Sequence, residues 1–112
     1  MTVDPHLHEP FLNLGHEHFQ ILVEPNASSV RLVGALDIAS AARVAEVIVE
    51  SATSLVDCSD LSFLDAAGAS ALLAAQRHAG RNGVNVEFRG LRGLPLRVLE
   101  IIGLDEELRI VT

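Results

Sequence analysis

The sequence predicts an α/β domain built on a mixed sheet of four to five strands. Its 112 residues are 49% hydrophobic, which suits one domain with a substantial core. Short runs rich in β-forming residues alternate with longer runs whose apolar residues recur at helical spacing. A turn alone separates the first two β runs, which predicts a hairpin. The later β runs alternate with helices, which predicts parallel crossovers.

Four segments read as strands and a fifth is a weaker candidate. The first pair is Phe19 to Glu24 and Ser29 to Leu36, joined by a Pro-Asn turn. Ser54 to Asp57 is a short buried strand, and Val84 to Phe88 alternates in polarity. Leu108 to Val111 completes the set as a short last strand.

Three segments read as helices. Asp37 or Ser40 caps the first helix, which runs to about Ala52. The second helix spans positions 66 to 82 and stops at an Asn-Gly pair. The third runs from about position 95 to 103, since proline suits a first helical turn and glycine a helix end.

The first 18 residues read as a loosely ordered tail or an edge strand, and residues 19–112 as the domain. The tail has no sustained period, and it holds four of the five histidines, His6, His8, His16 and His18. Imidazole pairs of this kind bind metals in other proteins. Short spacing motifs are weak indicators, so the pattern favours a loose segment over a metal site.

Composition excludes several classes of function. The net charge of −7 opposes binding to nucleic acid or to an anionic membrane surface. The most apolar stretch, positions 61 to 75, is interrupted by Asp65 and is too short to span a bilayer. The single cysteine, Cys58, cannot form an internal disulfide, so a cytoplasmic location is expected. Its position at a strand end predicts a small buried residue.

The sequence contains no catalytic set, so we expect neither an enzyme nor a bound cofactor or metal. His78 lies in the middle of a helix without a nucleophile partner. Asp57, Asp60 and Asp65 do not have the spacing of a calcium loop. Strand end, turn and helix cap are their expected roles. No glycine-rich phosphate loop is present.

The most informative segment is the helix start at Asp65. A strand-to-helix turn leaves free backbone N–H groups that hold an anion or face a partner. Asp65 can cap this end, and the small residues Ala66, Ala67 and Gly68 leave it sterically bare. The segment alone does not distinguish a simple cap from a docking surface.

Three ordered motifs give the chain a resemblance to STAS domains, the fold of bacterial anti-sigma factor antagonists. The run Asp57-x-Ser59-x-Leu61-x-Phe63-Leu64-Asp65-Ala66-Ala67-Gly68 resembles the family signature. The run from Arg31 to Asp37 is similar to the second strand with its Gly-x-Leu-Asp ending. The run from Gly90 to Leu104 is similar to the loop and last helix. The resemblance covers about positions 19 to 111.

The resemblance implies a non-enzymatic switch whose helices pack mainly on one face of the sheet. Such an antagonist binds an anti-sigma factor, often a serine kinase of the GHKL ATPase type, and so releases a sigma factor for transcription. A homodimer is also compatible with the family. The residues expected to contact the partner are Gly34, Asp37, Ser40, Phe63, Leu64, Asp65, Ala66, Ala67, Gly68 and Ser70.

The chain departs from the family pattern at the phosphate acceptor. In phosphorylated members a hydroxyl just before the glycine receives phosphate, and the added charge breaks the interface. Here Ala66 and Ala67 occupy both hydroxyl positions, so phosphorylation there is chemically impossible. Substitute acceptors are Ser40, Ser62 and Ser70, none of which stands at the same place.

Two alternative functions remain open at this point. Some STAS domains are soluble accessory subunits of ABC-type lipid transporters, in which the signature also tolerates loss of the serine pair. Others sense a small ligand or nucleotide, using the helix start as an anion site. Asp37 and Asp65 flank that site with negative charge, which opposes a phosphate ligand.

Overall fold

The computed structural model describes residues 12–16, 18–24, 26 and 28–111. The strands in chain order are β1 (Leu12–Asn13), β2 (Phe19–Glu24), β3 (Ser29–Leu36), β4 (Leu55–Leu64), β5 (Glu87–Arg89) and β6 (Ile110–Val111). The helices are α1 (Ile38–Glu50), α2 (Ala66–Arg81) and α3 (Gly93–Ile102). The strands follow one another across a single sheet in this same order.

The sheet is mixed, as the sequence predicts. β1, β2 and β3 pair in antiparallel fashion, and β3 to β6 pair in parallel. The α/β class is therefore confirmed, but the described sheet has six strands instead of four to five. The additional strand is β1, a two-residue edge strand inside the segment expected to be either a loose tail or an edge strand. Its short length gives no periodic signal that distinguishes those two expectations.

The strand β4 is much longer than predicted. The expected end at Asp57 is wrong, because pairing with β3 continues to Leu64. Two register irregularities interrupt that ladder, between Arg31 and Val33 and between Gly34 and Ala35. They shift the apolar alternation of β4, whose buried positions include Cys58, Leu61 and Leu64. An irregular alternation of this kind reads as a loop in the sequence.

Several other boundaries move by a few residues. α1 ends at Glu50, before Ala52, which adopts a positive φ of 50°. α2 ends at Arg81, one residue before the predicted end. α3 begins at Gly93, so Pro95 is its third residue. β5 covers only Glu87–Arg89, later than the predicted strand from Val84.

One face of the sheet carries the core. The buried residues of the strands share that face, and the helices cover it with buried residues of their own. The buried strand residues are Phe19, Ile21, Val23, Val30, Leu32, Leu36, Val56, Cys58, Leu61, Leu64 and Phe88. The buried helix residues include Val44, Val47, Ile48, Ala69, Leu72, Ala75, Ala79 and Leu99. Helices on one face agree with the expectation from the family resemblance. No helix of the described residues covers the opposite face, which we call the open sheet face.

The described part of the predicted tail lies along the sheet edge. The N–H of Leu14 donates to the carbonyl of Ile21 at 2.8 Å, and His16 bridges to Phe19. The N–H of His18 donates to Nδ1 of His16 at 3.2 Å. His6 and His8 lie outside the described residues. Within the described chain, no helix has the length and apolar character needed to cross a membrane.

Candidate partner-binding site at two helix starts

Two helices begin side by side at the edge of the sheet that is formed by the carboxyl ends of the central strands β3 and β4. The parallel strands β3 and β4 end in register, with Leu36 opposite Leu64. An aspartate follows each strand directly, Asp37 after β3 and Asp65 after β4, and each is the N-cap of the next helix. The topology therefore brings the N-terminal ends of α1 and α2 to the same place.

Asp65 binds the first turns of both helices. Its Oδ1 accepts from the N–H of Gly68 at 2.7 Å, which caps its own helix α2. Its Oδ2 accepts from the N–H of Ile38 at 3.1 Å, which is the first residue of α1. The sequence predicts the first bond but not the second, since no local pattern links positions 38 and 65. One carboxylate thus joins the two helix starts.

Asp37 and Ser40 form a capping box at the start of α1. Oδ1 of Asp37 accepts from the N–H of Ala39 at 2.9 Å, and Oγ of Ser40 accepts from the N–H of Asp37 at 3.3 Å. Ser40 is only 1% exposed. It therefore shapes the helix start from within, and a kinase cannot reach its hydroxyl in this conformation.

Gly68 allows α2 to lie directly against the end of β3. A Cβ at this position would be 2.4 Å from the carbonyl oxygen of Leu36 and 2.8 Å from Cγ of Leu36. Real Cβ atoms do not approach other atoms so closely, so no larger residue fits without moving the helix. The glycine of the family signature has a packing role here, and it is buried together with Leu64.

Gly34 is set back from this edge. It pairs with Phe19 on one side and Leu61 on the other, and it adopts a φ of +112°. Glycine alone tolerates this conformation readily. Its place in the fold indicates a backbone role in the irregular part of β3, and its contact with a partner stays a prediction.

The accessible side chains at this edge are apolar or small. Ile38 is 79% exposed and Phe63 is 40% exposed. Ala66 and Ser70 are exposed, and Ala67 is half-buried. We call these five residues the helix-start surface. Large exposed apolar side chains of this kind often mark partner sites.

The two positions between Asp65 and Gly68 carry no hydroxyl group. Ala66 and Ala67 occupy the first turn of α2 between Asp65 and Gly68. Among the substitute acceptors, Ser62 and Ser70 are exposed, whereas Ser40 is buried. Ser62 lies in β4 and Ser70 is the fifth residue of α2, so neither occupies the two positions between Asp65 and Gly68.

Cys58, His78 and Asp60 are not part of the helix-start surface. Cys58 is buried, as predicted, and burial together with the nearby Asp57 carboxylate raises the pKa of its thiol to about 12. His78 is exposed on α2. Asp60, expected in a turn, lies in β4. The described residues contain no group of three or more metal-ligating side chains.

This fold, with its paired helix starts, is that of a STAS domain. A family model described as "Mlab, STAS domain" matches residues 19–112, and the chain belongs to the STAS domain family. The resemblance drawn from the sequence motifs is therefore confirmed.

One solved structure similar to this chain is the anti-sigma factor antagonist SpoIIAA in its unphosphorylated form. The match has a TM-score of 0.62 at 18% identity and covers 84% of this chain and 88% of that one. At this level of identity the match establishes the shared fold. No curated protein sequence matches the chain.

Proposed function

We propose that this chain is an anti-sigma factor antagonist-like interaction module, not an enzyme. In this proposal it acts in the cytoplasm, where it binds an anti-sigma factor of the GHKL serine-kinase type and so releases a sigma factor. Membership of the STAS family and the fold shared with SpoIIAA support this role. The helix-start surface is the proposed contact.

The single observation that carries the proposal is the accessible apolar surface around the Asp65 bridge. Asp65 already accepts from the amides of Ile38 and Gly68, so these donors are not available to a free anion. A ligand at this edge instead meets the side chains of Ile38, Phe63 and Ala66. Such a surface fits the apolar centre of a protein interface better than a phosphate or nucleotide site.

The second part of the proposal is that this module lacks the family's phosphorylation switch. Ala67 stands where the hydroxyl of phosphorylated members stands, so a partner kinase cannot release itself by modifying that position. Regulation then depends on the concentrations of the two proteins and not on phosphate at the interface.

The test begins with the full chain as bait in its native host, followed by mass spectrometry of the bound proteins. Recovery of an anti-sigma factor of the kinase type supports the proposal. Calorimetry with that purified partner then compares wild type with Ala67→Glu, which places charge on the helix-start surface. Ala74→Glu is the matched control, since Ala74 lies on the same helix α2 but farther along it, and its side chain is exposed.

We expect Ala67→Glu to abolish measurable binding while Ala74→Glu binds like wild type. A folded Ala67→Glu variant with unchanged affinity would contradict the proposed site. Circular dichroism establishes that both variants are folded. An acidic residue at position 67, in the first helical turn, is electrostatically favourable. Glutamate at the exposed position 74 is a good helix former, so neither variant should lose the helix.

Restoring the hydroxyl gives a complementary test. Ala67→Ser differs from wild type by a single oxygen at the position that is phosphorylated in the family. With the purified kinase and ATP, we expect intact mass to show one added phosphate on Ala67→Ser and none on wild type or on Ala66→Ser. Phosphate on wild type at Ser62 or Ser70 would refute the loss of the switch.

The second candidate function is an accessory subunit of an ABC-type lipid transporter. The alanines at positions 66 and 67 favour it, because a stable complex needs no phosphate acceptor. Recovery of transporter subunits in place of a kinase would select this candidate and overturn the first. In both cases the helix-start surface is the proposed contact, so the Ala67→Glu comparison applies to either partner. A homodimer would be detected by light scattering of the purified chain.

A further inference from the structure

The open sheet face contains a cavity whose lining shares no residue with the helix-start surface. It encloses about 230 Å³ on the side of the sheet opposite the helices. Leu22, Arg31, Asp57 and Arg89 lie directly opposite one another across β2 to β5 and form its central row. The remaining lining residues are Glu24, Ser29, Val30 and Leu55.

Arg31 and Arg89, two arginines in this row, have guanidinium N–H groups that are not used in hydrogen bonds within the described part of the chain. Nε of Arg31 is 3.6 Å and an Nη of Arg89 is 3.9 Å from Oδ2 of Asp57. Arg31 also approaches Asp60 at 4.0 Å. These separations exceed hydrogen-bond length, so the ion pairs leave the guanidinium N–H groups without acceptors among the described residues. Both arginine side chains are more than half exposed.

The surroundings of Asp57 favour the ionised form of its carboxylate, which lies between the two arginines. Burial alone would raise its pKa, but hydrogen bonds from the hydroxyl and N–H of Ser59, at 2.6 and 3.0 Å, and the two arginines together lower it. The fixed negative charge orients both guanidinium groups. It also cancels part of their charge, so the site does not favour a simple anion strongly.

An acidic group lies at the other side of the cavity. Oε2 of Glu24 accepts from the hydroxyl of Ser29 at 3.2 Å, and no described residue donates to its Oε1. Glu24 is in the row next to Arg31 on the same face, and such rows are about 7 Å apart. The half-buried Leu22 and Leu55 provide apolar surface in the cavity.

We propose that this cavity binds a small amphoteric metabolite of the aliphatic α-amino acid class. The carboxylate is held by Arg31 and Arg89, the ammonium group by Glu24, and the aliphatic side chain packs on Leu22 and Leu55. One carbon separates the two charged groups of an α-amino acid, and a hydrogen bond of about 3 Å at each end spans the distance between Glu24 and Arg31, which lie in adjacent rows of the adjacent strands β2 and β3. Arg89 lies two strands beyond Arg31, and it can share the carboxylate because both guanidinium groups turn toward Oδ2 of Asp57. Pockets for drug-sized ligands enclose about 300 to 1,000 Å³, so this smaller cavity suits a compact ligand.

The probes are L-leucine and two analogues that each lack one charged group. 4-Methylpentanoate has the carboxylate without the amine, and 3-methylbutylamine has the amine without the carboxylate. Titration of the full chain, followed by calorimetry and by amide chemical shifts, should show saturable binding of leucine. Each analogue should bind about tenfold more weakly or worse, because a hydrogen bond to a charged group contributes roughly 1.5 to 3 kcal/mol.

Variants assign each charged group to its partner. Arg31→Gln and Arg89→Gln should each weaken leucine binding by about tenfold or more. Glu24→Gln should weaken leucine binding and leave the affinity for 4-methylpentanoate unchanged. Arg97→Gln is the matched control, since Arg97 is an exposed arginine on α3 outside the cavity, and it should bind leucine like wild type.

Three results would overturn the proposal. The first is no saturable binding of leucine, valine or isoleucine at millimolar concentration by the folded chain. The second is equal binding of leucine and 4-methylpentanoate, which would exclude a role for the ammonium group. The third is leucine binding that survives both arginine substitutions, which would place the ligand elsewhere.

Discussion

Asp57 and Asp65 belong to the same stretch of sequence, but they bind different parts of the molecule. Asp65 accepts hydrogen bonds from main-chain amides at the starts of two helices. Asp57 accepts from Ser59 and faces two exposed arginine side chains on the open sheet face. The first carboxylate therefore determines where helices begin, whereas the second determines the charge of a surface. Substitutions near Asp65 should affect stability more than substitutions at Asp57.

The largest effect is expected at Gly68, which lies beside Asp65 in the first turn of α2. Gly68→Ala places a Cβ 2.4 Å from the carbonyl oxygen of Leu36, so α2 must move away from β3. Overpacking of this kind costs about 1 to 3 kcal/mol or more in the free energy of unfolding. Urea denaturation followed by circular dichroism measures the loss.

Gly80 provides the matched control within the same helix. It is exposed, and a Cβ added there would meet no atom within 4 Å. Gly80→Ala should stabilise the protein by roughly 0.4 to 1 kcal/mol, because alanine has the higher helix propensity. Equal effects of the two substitutions would show that α2 does not depend on close packing at its start.

The next largest effect is expected at Asp65 itself. Asp65→Ala removes two cap bonds, and a lost cap typically costs about 1 kcal/mol, so roughly 2 kcal/mol is expected. Asp37→Ala, which affects only α1, should cost about 1 kcal/mol. Denaturation of both variants under the same conditions gives the comparison.

Asp65→Asn separates the two bonds of the bridge. Asparagine retains one acceptor oxygen but replaces the other by an NH₂ group, which cannot accept from a second amide. We expect the free energy of unfolding of Asp65→Asn to lie between that of wild type and that of Asp65→Ala. A loss for Asp65→Ala no greater than that for Asp37→Ala would contradict the bridging role.

The sequence predicts the local part of this arrangement well. Asp65 is identified as a cap, and Asp37 is one of two candidates together with Ser40, because cap signals act within one helical turn. The structure has both aspartates as N-caps. The antiparallel hairpin and the helical face of α1 also depend on short-range patterns. Family motifs then supply the fold, which the family match and the shared fold confirm.

The features that the sequence does not predict involve residues distant along the chain. The bond from Ile38 to Asp65 forms because β3 and β4 end in register, and no local pattern encodes that register. The length of β4 is also not predicted, because its irregular pairing with β3 disturbs the alternation of buried and exposed residues. Similarly, Arg31, Asp57 and Arg89 belong to three strands, and the parallel ladder alone places them in one row.

The smallest effect is expected from Asp57, and it should depend on pH. Despite its burial, the hydrogen bonds from Ser59 and the two arginines hold the pKa of Asp57 below its ordinary value, about 3.9 in an unfolded chain. The stabilisation is therefore fully present above about pH 4 and is lost as the pH falls through the lower folded-state pKa. Asp57→Asn should be less stable than wild type at pH 7 by less than about 1 kcal/mol, and this difference should shrink at about pH 3.

The comparison requires a control carboxylate on the same face. Glu87 is exposed on β5, and its side chain has no hydrogen bond or ion pair with any residue in the described part of the chain. Glu87→Gln should therefore match wild type at both pH values. The difference in the free energy of unfolding between wild type and Asp57→Asn could instead stay constant from pH 7 to pH 3. In that case the charge of the Asp57 carboxylate would contribute nothing to stability, and only the size and packing of the side chain would matter. A difference that shrinks with acid instead ties the stability of the open sheet face to the same charge that orients Arg31 and Arg89.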